Sequence, residues 1–138
     1  MDKIKFERLT LQNIQSIDQI IIDDEIYEKE NIERFISNNE NYIFIGKDND
    51  KVIAFLYGYG LYRPDNKKMF YIHSVDVIEE YQGKGIGTKL IEAVLNYIKN
   101  ENKYYKYWVL ADTDNIRANK LYQKYANKKE QNLFDNKI

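Results

Sequence analysis

The stretch from Val75 to Leu90 constrains this chain most: an apolar run, Val75-Asp76-Val77-Ile78, passes through Gly83, Gly85 and Gly87 into a segment with helical periodicity. Alternating glycines let a backbone take positive φ and approach a ligand with no Cβ in the way. A helix that starts there opens with unpaired N–H groups at the positive end of its dipole, and together these attract a phosphate. Lys84 adds a charge beside the donors and Thr88 a hydroxyl in the first turn. Gln82, Gly83, Lys84, Gly85, Ile86, Gly87 and Thr88 therefore read as an anion site. Two better-known phosphate loops do not match, since the spacing is neither G-x-G-x-x-G nor G-x-x-x-x-G-K-S/T. A doubly wound dinucleotide domain would also need more strand–helix units than the remaining chain of about fifty residues can supply.

Length and composition narrow the classes. A chain of 138 residues suits one domain, residues 1–138, with a proper core. The 43% apolar and 31% charged fractions are those of a soluble globular protein, with no run of about eighteen apolar residues for a membrane span. Met1-Asp2-Lys3-Ile4-Lys5 lacks the apolar core and small-residue cleavage site of a secretory signal, so a cytoplasmic location is expected. The absence of cysteine removes disulfides, thiolate catalysis and sulfur-ligated zinc, and with His73 the sole histidine no metal site is expected. A net charge of −1 gives no general grip on nucleic acid. The thirteen tyrosines fall mostly in segments with strand or core patterns, where aromatic residues are at home without stacking on bases.

Along the chain, Ile4, Phe6 and Leu9 mark a first strand at a sheet edge. Residues 11–39 show helical spacing in two pieces, Ile14, Ile17, Ile20, Ile21 and then Ile32, Phe35, Ile36. The acidic hinge between them, Asp23-Asp24-Glu25-Ile26-Tyr27-Glu28, reads either as a solvated loop or as a lip that attracts a cation. Tyr42 to Gly46 and Val52 to Tyr59 form a hairpin around Lys47-Asp48-Asn49-Asp50-Lys51, with Gly58 and Gly60 marking a bulge. After a turn at residues 62–67, Met69 to Val77 returns as a strand that feeds the glycine loop. Leu90, Val94 and Ile98, with Ile91 and Leu95 beside them, give an amphipathic helix ending near Asn100. A strand at Tyr107-Trp108-Val109-Leu110-Ala111, a short helix through Ala118, Leu121, Tyr122 and Tyr125, and a last strand at residues 131–135 complete the plan.

The order Val77, Gln82, Gly85, Gly87 resembles the acetyl-CoA signature of the GNAT acyltransferases, Q/R-x-x-G-x-G/A, and Asn115-Ile116-Arg117-Ala118-Asn119-Lys120-Leu121-Tyr122-Gln123-Lys124 resembles that family's N-x-x-A-x-x-L-Y-x-K segment. The second motif sits where the family needs it, after the strand that follows the glycine-loop helix. The resemblance implies an α/β (α+β) domain, a mixed, mainly antiparallel sheet flanked by helices, with a splayed central strand pair. It implies an acetyl-CoA-dependent N-acetyltransferase that leaves CoA as product. Val75, Val77, the glycine loop, Asn115 and Tyr122 would contact the cofactor. Within the superfamily the chain is most similar to the type I aminoglycoside 3-N-acetyltransferases, through the strand Phe70 to Val77, the Ala111-Asp112 step and Phe134-Asp135. Ser74 stands where those enzymes usually carry an acidic residue.

Acyl transfer from a thioester to an amine needs a donor for the carbonyl's developing charge, an unprotonated nucleophile and a proton for the departing thiolate. The resemblance assigns the first to the Val77 backbone N–H and the last to Tyr122. Deprotonating a lysine-like amine, pKa near 10.4, costs roughly 4 to 5 kcal/mol at pH 7. The base candidates are Asp76 and His73, with Glu80 and a water chain also in view; strand alternation sets Ser74 and Asp76 on one face and His73 on the other. Asp112, Asp114 and Asp135, at expected strand ends, are candidates to hold a cationic acceptor. The acceptor is expected to be a small-molecule amine, an aminoglycoside or similar polycation; the alternatives are a protein or peptide amine, or a non-catalytic acyl-CoA-binding regulatory module. A homodimer is left open.

Overall fold

The computed structural model describes residues 3–138. Its centre is a five-stranded sheet in the order β1-β4-β5-β6-β7, made of β1 (Ile4–Arg8), β4 (Asn41–Asp48), β5 (Lys51–Tyr62), β6 (Lys68–Val77) and β7 (Lys106–Val109). All neighbours pair antiparallel except β6 and β7, which run parallel. The sheet is mixed because the 16-residue helix α2 (Ile86–Glu101) crosses back before β7. Helix α2 buries Ile86, Leu90, Ile91, Val94, Leu95 and Ile98 against Tyr42, Phe44, Leu56, Phe70 and Ile72 on one face of the sheet. That stripe is the expected amphipathic face, each fully buried Ile or Leu contributing about 1.5 to 3 kcal/mol of transfer free energy. Asn102 closes the helix in the left-handed region, φ 53°, which asparagine tolerates.

The other face is covered by α1 (Lys29–Ile36) and a small hairpin of β2 (Gln19–Ile22) and β3 (Glu25–Glu28). Here the structure corrects the expected first helix of residues 11–39. Asn13–Ser16 is one 3₁₀ turn, and the chain then becomes a strand in which Ile20 and Ile22 are buried while Ile21 is 54% exposed. The four isoleucines fit a helical spacing, yet only a period of two puts Ile20 and Ile22 into the core beside Ile14, Ile17 and Phe55. The acidic hinge is the turn of this hairpin: Asp23 and Asp24 sit at φ 49° and 64°, the two successive positive values that Asp and Asn supply best after glycine.

The expected last strand is also absent. Residues 126–138 have no helix or strand and are exposed, Leu133 and Phe134 being 73% and 88% exposed, and a segment that buries no apolar face has nothing to offset the entropy of ordering it. The short C-terminal helix is present as α3 (Ile116–Gln123). No helix among the described residues is long and apolar enough to cross a membrane.

Candidate active site

The strand pairs set up an opening. Strands β6 and β7 pair only from Met69↔Lys106 to Ile72↔Val109, after which β7 ends and β6 continues to Val77. On the other side β6 stays paired with β5 up to Val77↔Ala54, and the next residue, Ile78, donates its N–H to the Ile53 carbonyl at 3.0 Å. Antiparallel ladders alternate, so if Ile78 turns its backbone groups toward β5, Val77 turns its own away. The Val77 N–H, and that of Val75 two residues earlier, therefore face the gap left by β7. The Val77 carbonyl points the same way and accepts from Gln82 Nε2 at 2.8 Å.

The glycine loop stands at the mouth of that gap. A 3₁₀ turn at Glu79–Tyr81 leads into Gly83 and Gly85, which adopt φ of 76° and 79°, and Gly85 is the residue preceding α2. A Cβ built at either position meets no atom within 4 Å. The loop thus borders open space, and the unpaired N–H groups that start a helix such as α2 are donors suited to an anion like a phosphate. Lys84 hangs over the outer side, its Nζ 5.3 Å from the Tyr81 ring centre, beside a hollow of about 580 Å³ lined by Lys3, Ile4, Asp48, Glu80, Tyr81 and Lys84. That hollow adjoins the loop and contains neither Tyr122 nor Asp76.

Helix α3 packs across the start of α2, where Leu121 Cδ2 and Val77 Cγ2 would lie 3.5 and 3.9 Å from a Cβ on Gly87. Asn115 caps α3, its Oδ1 accepting from the Ala118 N–H at 3.1 Å, so this side chain has a structural task. Tyr122 is half-buried against the core, and burial, with the Asp76 charge second, pushes its phenol up to about 12. It stays protonated across the physiological range.

Asp76 and His73 lie closer together than simple alternation allows. Tyr57 pairs with Ser74 while Gly58 pairs with Ile72, leaving His73 as the extra residue of a β-bulge. Glycine at position 58 was expected to mark one. The bulge sets His73 on the same face as Ser74 and Asp76, which corrects the expected separation. His73 Nδ1 is 3.0 Å from the Tyr59 hydroxyl, and its exposed ring lies 4.9 Å from Tyr57 and 5.4 Å from Tyr71. Tyr71 stacks in turn on Trp108 at 4.1 Å, and the buried Trp108 Nε1 has no hydrogen-bond partner. An aromatic strip of Tyr57, Tyr59, Tyr71, His73 and Trp108 thus runs up the sheet beside the gap.

Asp76 Oδ2 accepts from Ser74 Oγ at 2.8 Å. Burial raises its carboxyl above the ordinary value of 3.8, and the Asp23 and Glu25 carboxylates of the hairpin raise it further, against the lowering effect of the Ser74 bond. The carboxylates brought to Asp76 are therefore those of the hairpin, a role its sequence left undecided. Asp112 and Asp114 lie exposed on the loop between β7 and α3, and Asp135 lies exposed on the irregular tail instead of at a strand end. No group of three or more acidic or histidine side chains among the described residues could hold a metal ion.

A raised carboxyl has a consequence for stability. The folded protein holds the Asp76 proton more tightly than the unfolded chain does, so stability falls as pH rises from the ordinary carboxylate value through the raised one. Asp76→Asn should melt above the wild type at pH 7, and the gain should vanish below about pH 4, where both forms are neutral. Thermal unfolding at the two pH values checks this; a lower midpoint at pH 7 would contradict it.

A mixed sheet opened between two parallel strands, with a glycine turn and a helix start at its mouth, is the architecture of N-acetyltransferases. Residues 9–127 match the model of the Acetyltransferase (GNAT) family, and the chain belongs to that family as an N-acetyltransferase. No curated protein sequence matches it. Among solved structures it is similar to the aminoglycoside acetyltransferase meta-AAC0020 from an uncultured soil metagenomic sample, with 24% identity over 99% of this chain and 96% of that one, TM-score 0.76. It is similar to the aminoglycoside acetyltransferase HMB0005, also from an uncultured soil metagenomic sample, with 18% identity, 98% of each chain and TM-score 0.80. The ribosomal-protein-alanine N-acetyltransferase of Brucella melitensis biovar Abortus 2308 shares 15% identity over 98% of this chain and 99% of that one, TM-score 0.72. At these identities the structural likeness defines the fold.

Proposed function

We propose that the protein transfers an acetyl group from acetyl-CoA directly to an amine of a small polycationic molecule, an aminoglycoside or a close relative in chemistry. The observation that carries this reading is the outward-facing Val77 N–H at the gap between β6 and β7, with Tyr122 and Asp76 on its flanks. Bound acetyl-CoA supplies the activated thioester. Backbone donors from Gly83 to Thr88 hold the pyrophosphate, with Val75 and Val77 lining its entry into the gap. The Val77 N–H polarises the acetyl carbonyl, which costs no reorganisation because the strand has already fixed its direction. The amine nitrogen bonds to the carbonyl carbon as the carbon–sulfur bond breaks; the amine's proton passes to Asp76, directly or through water, and Tyr122 gives its own to the sulfur.

The two proton transfers help each other. A phenol near 12 is a poor acid for an ordinary thiolate, whose pKa near 8.5 leaves the transfer uphill by about 5 kcal/mol. Part of that elevation comes from the negative charge of Asp76, and it disappears once Asp76 holds the amine's proton. Asp76 is the base in this reading because its raised carboxyl binds a proton better than an exposed one, and Ser74 orients it. His73, bonded to Tyr59, serves the aromatic wall.

The acceptor's chemistry follows from what lines the sheet face beside Asp76. Asp23 and Glu25 favour ammonium groups, and the rings of Tyr71 and Trp108 suit the apolar face of a sugar. Asp112, Asp114 and Asp135 are assigned to the outer rim. A placed phenol on α3 argues against a purely regulatory acyl-CoA binder. CoA release should therefore be seen with aminoglycosides ahead of polyamines and peptides. The apparent KM should climb with salt, since exposed charges are screened beyond about 8 to 10 Å at ordinary ionic strength. Asp23→Asn with Glu25→Gln should raise that KM more than Asp112→Asn with Asp135→Asn, with little effect on an uncharged amine. If every aminoglycoside is inert while a peptide amine is acetylated, the acceptor is a protein or peptide.

A further inference from the structure

Gln82 joins three parts of the site. Its Nε2 donates to the Val77 carbonyl at 2.8 Å, and its Oε1 accepts from Arg117 Nη1. Val77 ends β6, Gln82 precedes the first glycine of the loop, and Arg117 lies in the first turn of α3, five residues before Tyr122. An amide is the side chain that can both donate to a carbonyl and accept from a guanidinium; a carboxylate would repel the Val77 oxygen, and an ammonium would repel Arg117. At the far end of α3, Lys124 Nζ donates to Thr88 Oγ1 at 3.2 Å, in the first turn of α2. The two contacts bracket Tyr122 along the helix. Arg117 is exposed and makes no ion pair among the described residues, so its charged head engages a neutral amide of the site.

We propose that Arg117 is a positioning residue for acetyl transfer, acting through Gln82 to tie the end of β6, the glycine loop and the Tyr122-bearing helix into one unit. The carbonyl donor sits on β6 and the proton donor on α3, two elements with no sheet pairing between them. Reaction requires their separation to match that between the carbonyl oxygen and the sulfur of one thioester, and misplacement by about 1 Å can cost about a hundredfold. The tie sets that separation. Gln82 thereby gains a role apart from the phosphate contact its motif suggests. The inference rests on the functional reading above for what Val77 and Tyr122 do; the tie itself rests on the contacts.

The test is a double-mutant cycle of wild type, Arg117→Ala, Gln82→Ala and the double variant, with Arg117→Lys as the conservative change. Hydrogen exchange is followed over residues 83–88 and 116–123 in the free protein, acetyl-CoA affinity by calorimetry, and turnover with an acceptor found in the CoA-release assay. Arg117→Ala should speed exchange in the glycine loop as well as in α3 and lower kcat about tenfold, with acetyl-CoA affinity changed less than threefold. The double variant should be no worse than the worse single, and Arg117→Lys should recover most of kcat by keeping a donor to Gln82. Unchanged loop exchange in Arg117→Ala, or losses in the two singles that simply multiply, would overturn the tie. If the wild type turns over no acceptor, the functional reading fails, and loop exchange alone then decides on the tie.

Discussion

Gly85→Val should abolish measurable acetyl-CoA binding in calorimetry and leave a folded protein. Gly85 holds φ 79° as the residue before α2, a conformation that costs a β-branched residue about 1 to 3 kcal/mol. That is affordable within a typical folding stability of about 5 to 15 kcal/mol. The larger effect is on the ligand in the proposed reading, because a Cβ at this position enters open space beside the loop that is proposed to take the pyrophosphate. The valine methyls would stand in that space and, to relieve the strain, rotate the N–H donors away from it. Gly85→Ala should show the same effect at smaller size. Wild-type affinity in the valine variant would mean that the phosphates bind elsewhere, with the hollow beside Lys84 the next place to look.

Tyr122→Phe should lower kcat about a hundredfold while acetyl-CoA affinity and thermal midpoint stay close to the wild type. The ring's packing against the core is kept, and only the proton for the sulfur is lost, a contribution typical of a positioned general acid. Because burial and Asp76 push this phenol up to about 12, the wild-type pH–rate profile should show no falling alkaline limb from Tyr122 between pH 6 and 10. A Phe variant with normal turnover would reduce Tyr122 to a packing residue. A wild-type profile that falls near pH 9, with the fall missing in the variant, would mean that the phenol titrates far below the value its surroundings impose.

Wherever one element carried its own signal, the sequence was sufficient. The glycine loop and α2 were legible because positive φ, a helix start and a four-residue apolar repeat are local properties; Gly83 and Gly85 take the left-handed values and Ile86 to Ile98 face the core. The β4–β5 hairpin, the bulge at Gly58 and the short helix bearing Tyr122 followed from residues within a few positions of each other. The isoleucines of residues 14–22 were ambiguous because Ile14, Ile17, Ile20 and Ile21 satisfy a period of 3.6 while Ile20 and Ile22 satisfy a period of two. The sheet face waiting to be covered by Ile14, Ile20 and Ile22 decided between them, and no local pattern encodes that face. Likewise Leu133 and Phe134 have strand character, yet that character is worth little unless a partner edge and a face are there to receive it.

The site divides in the same way. The glycine loop and the helix start are written in consecutive residues. The other half is assembled across elements: burial raises the Asp76 carboxyl and the β2–β3 hairpin adds the Asp23 and Glu25 charges beside it, and His73 shares its face only because the bulge adds one residue to β6. Arg117 reaches Gln82, 35 positions away, only because α3 lies across the start of α2. The sequence by itself determined which backbone stretch takes positive φ and opens into a helix, because those properties depend on neighbours along the chain. Which charges stand beside Asp76 depends on distance through space, and only the tertiary structure decided it.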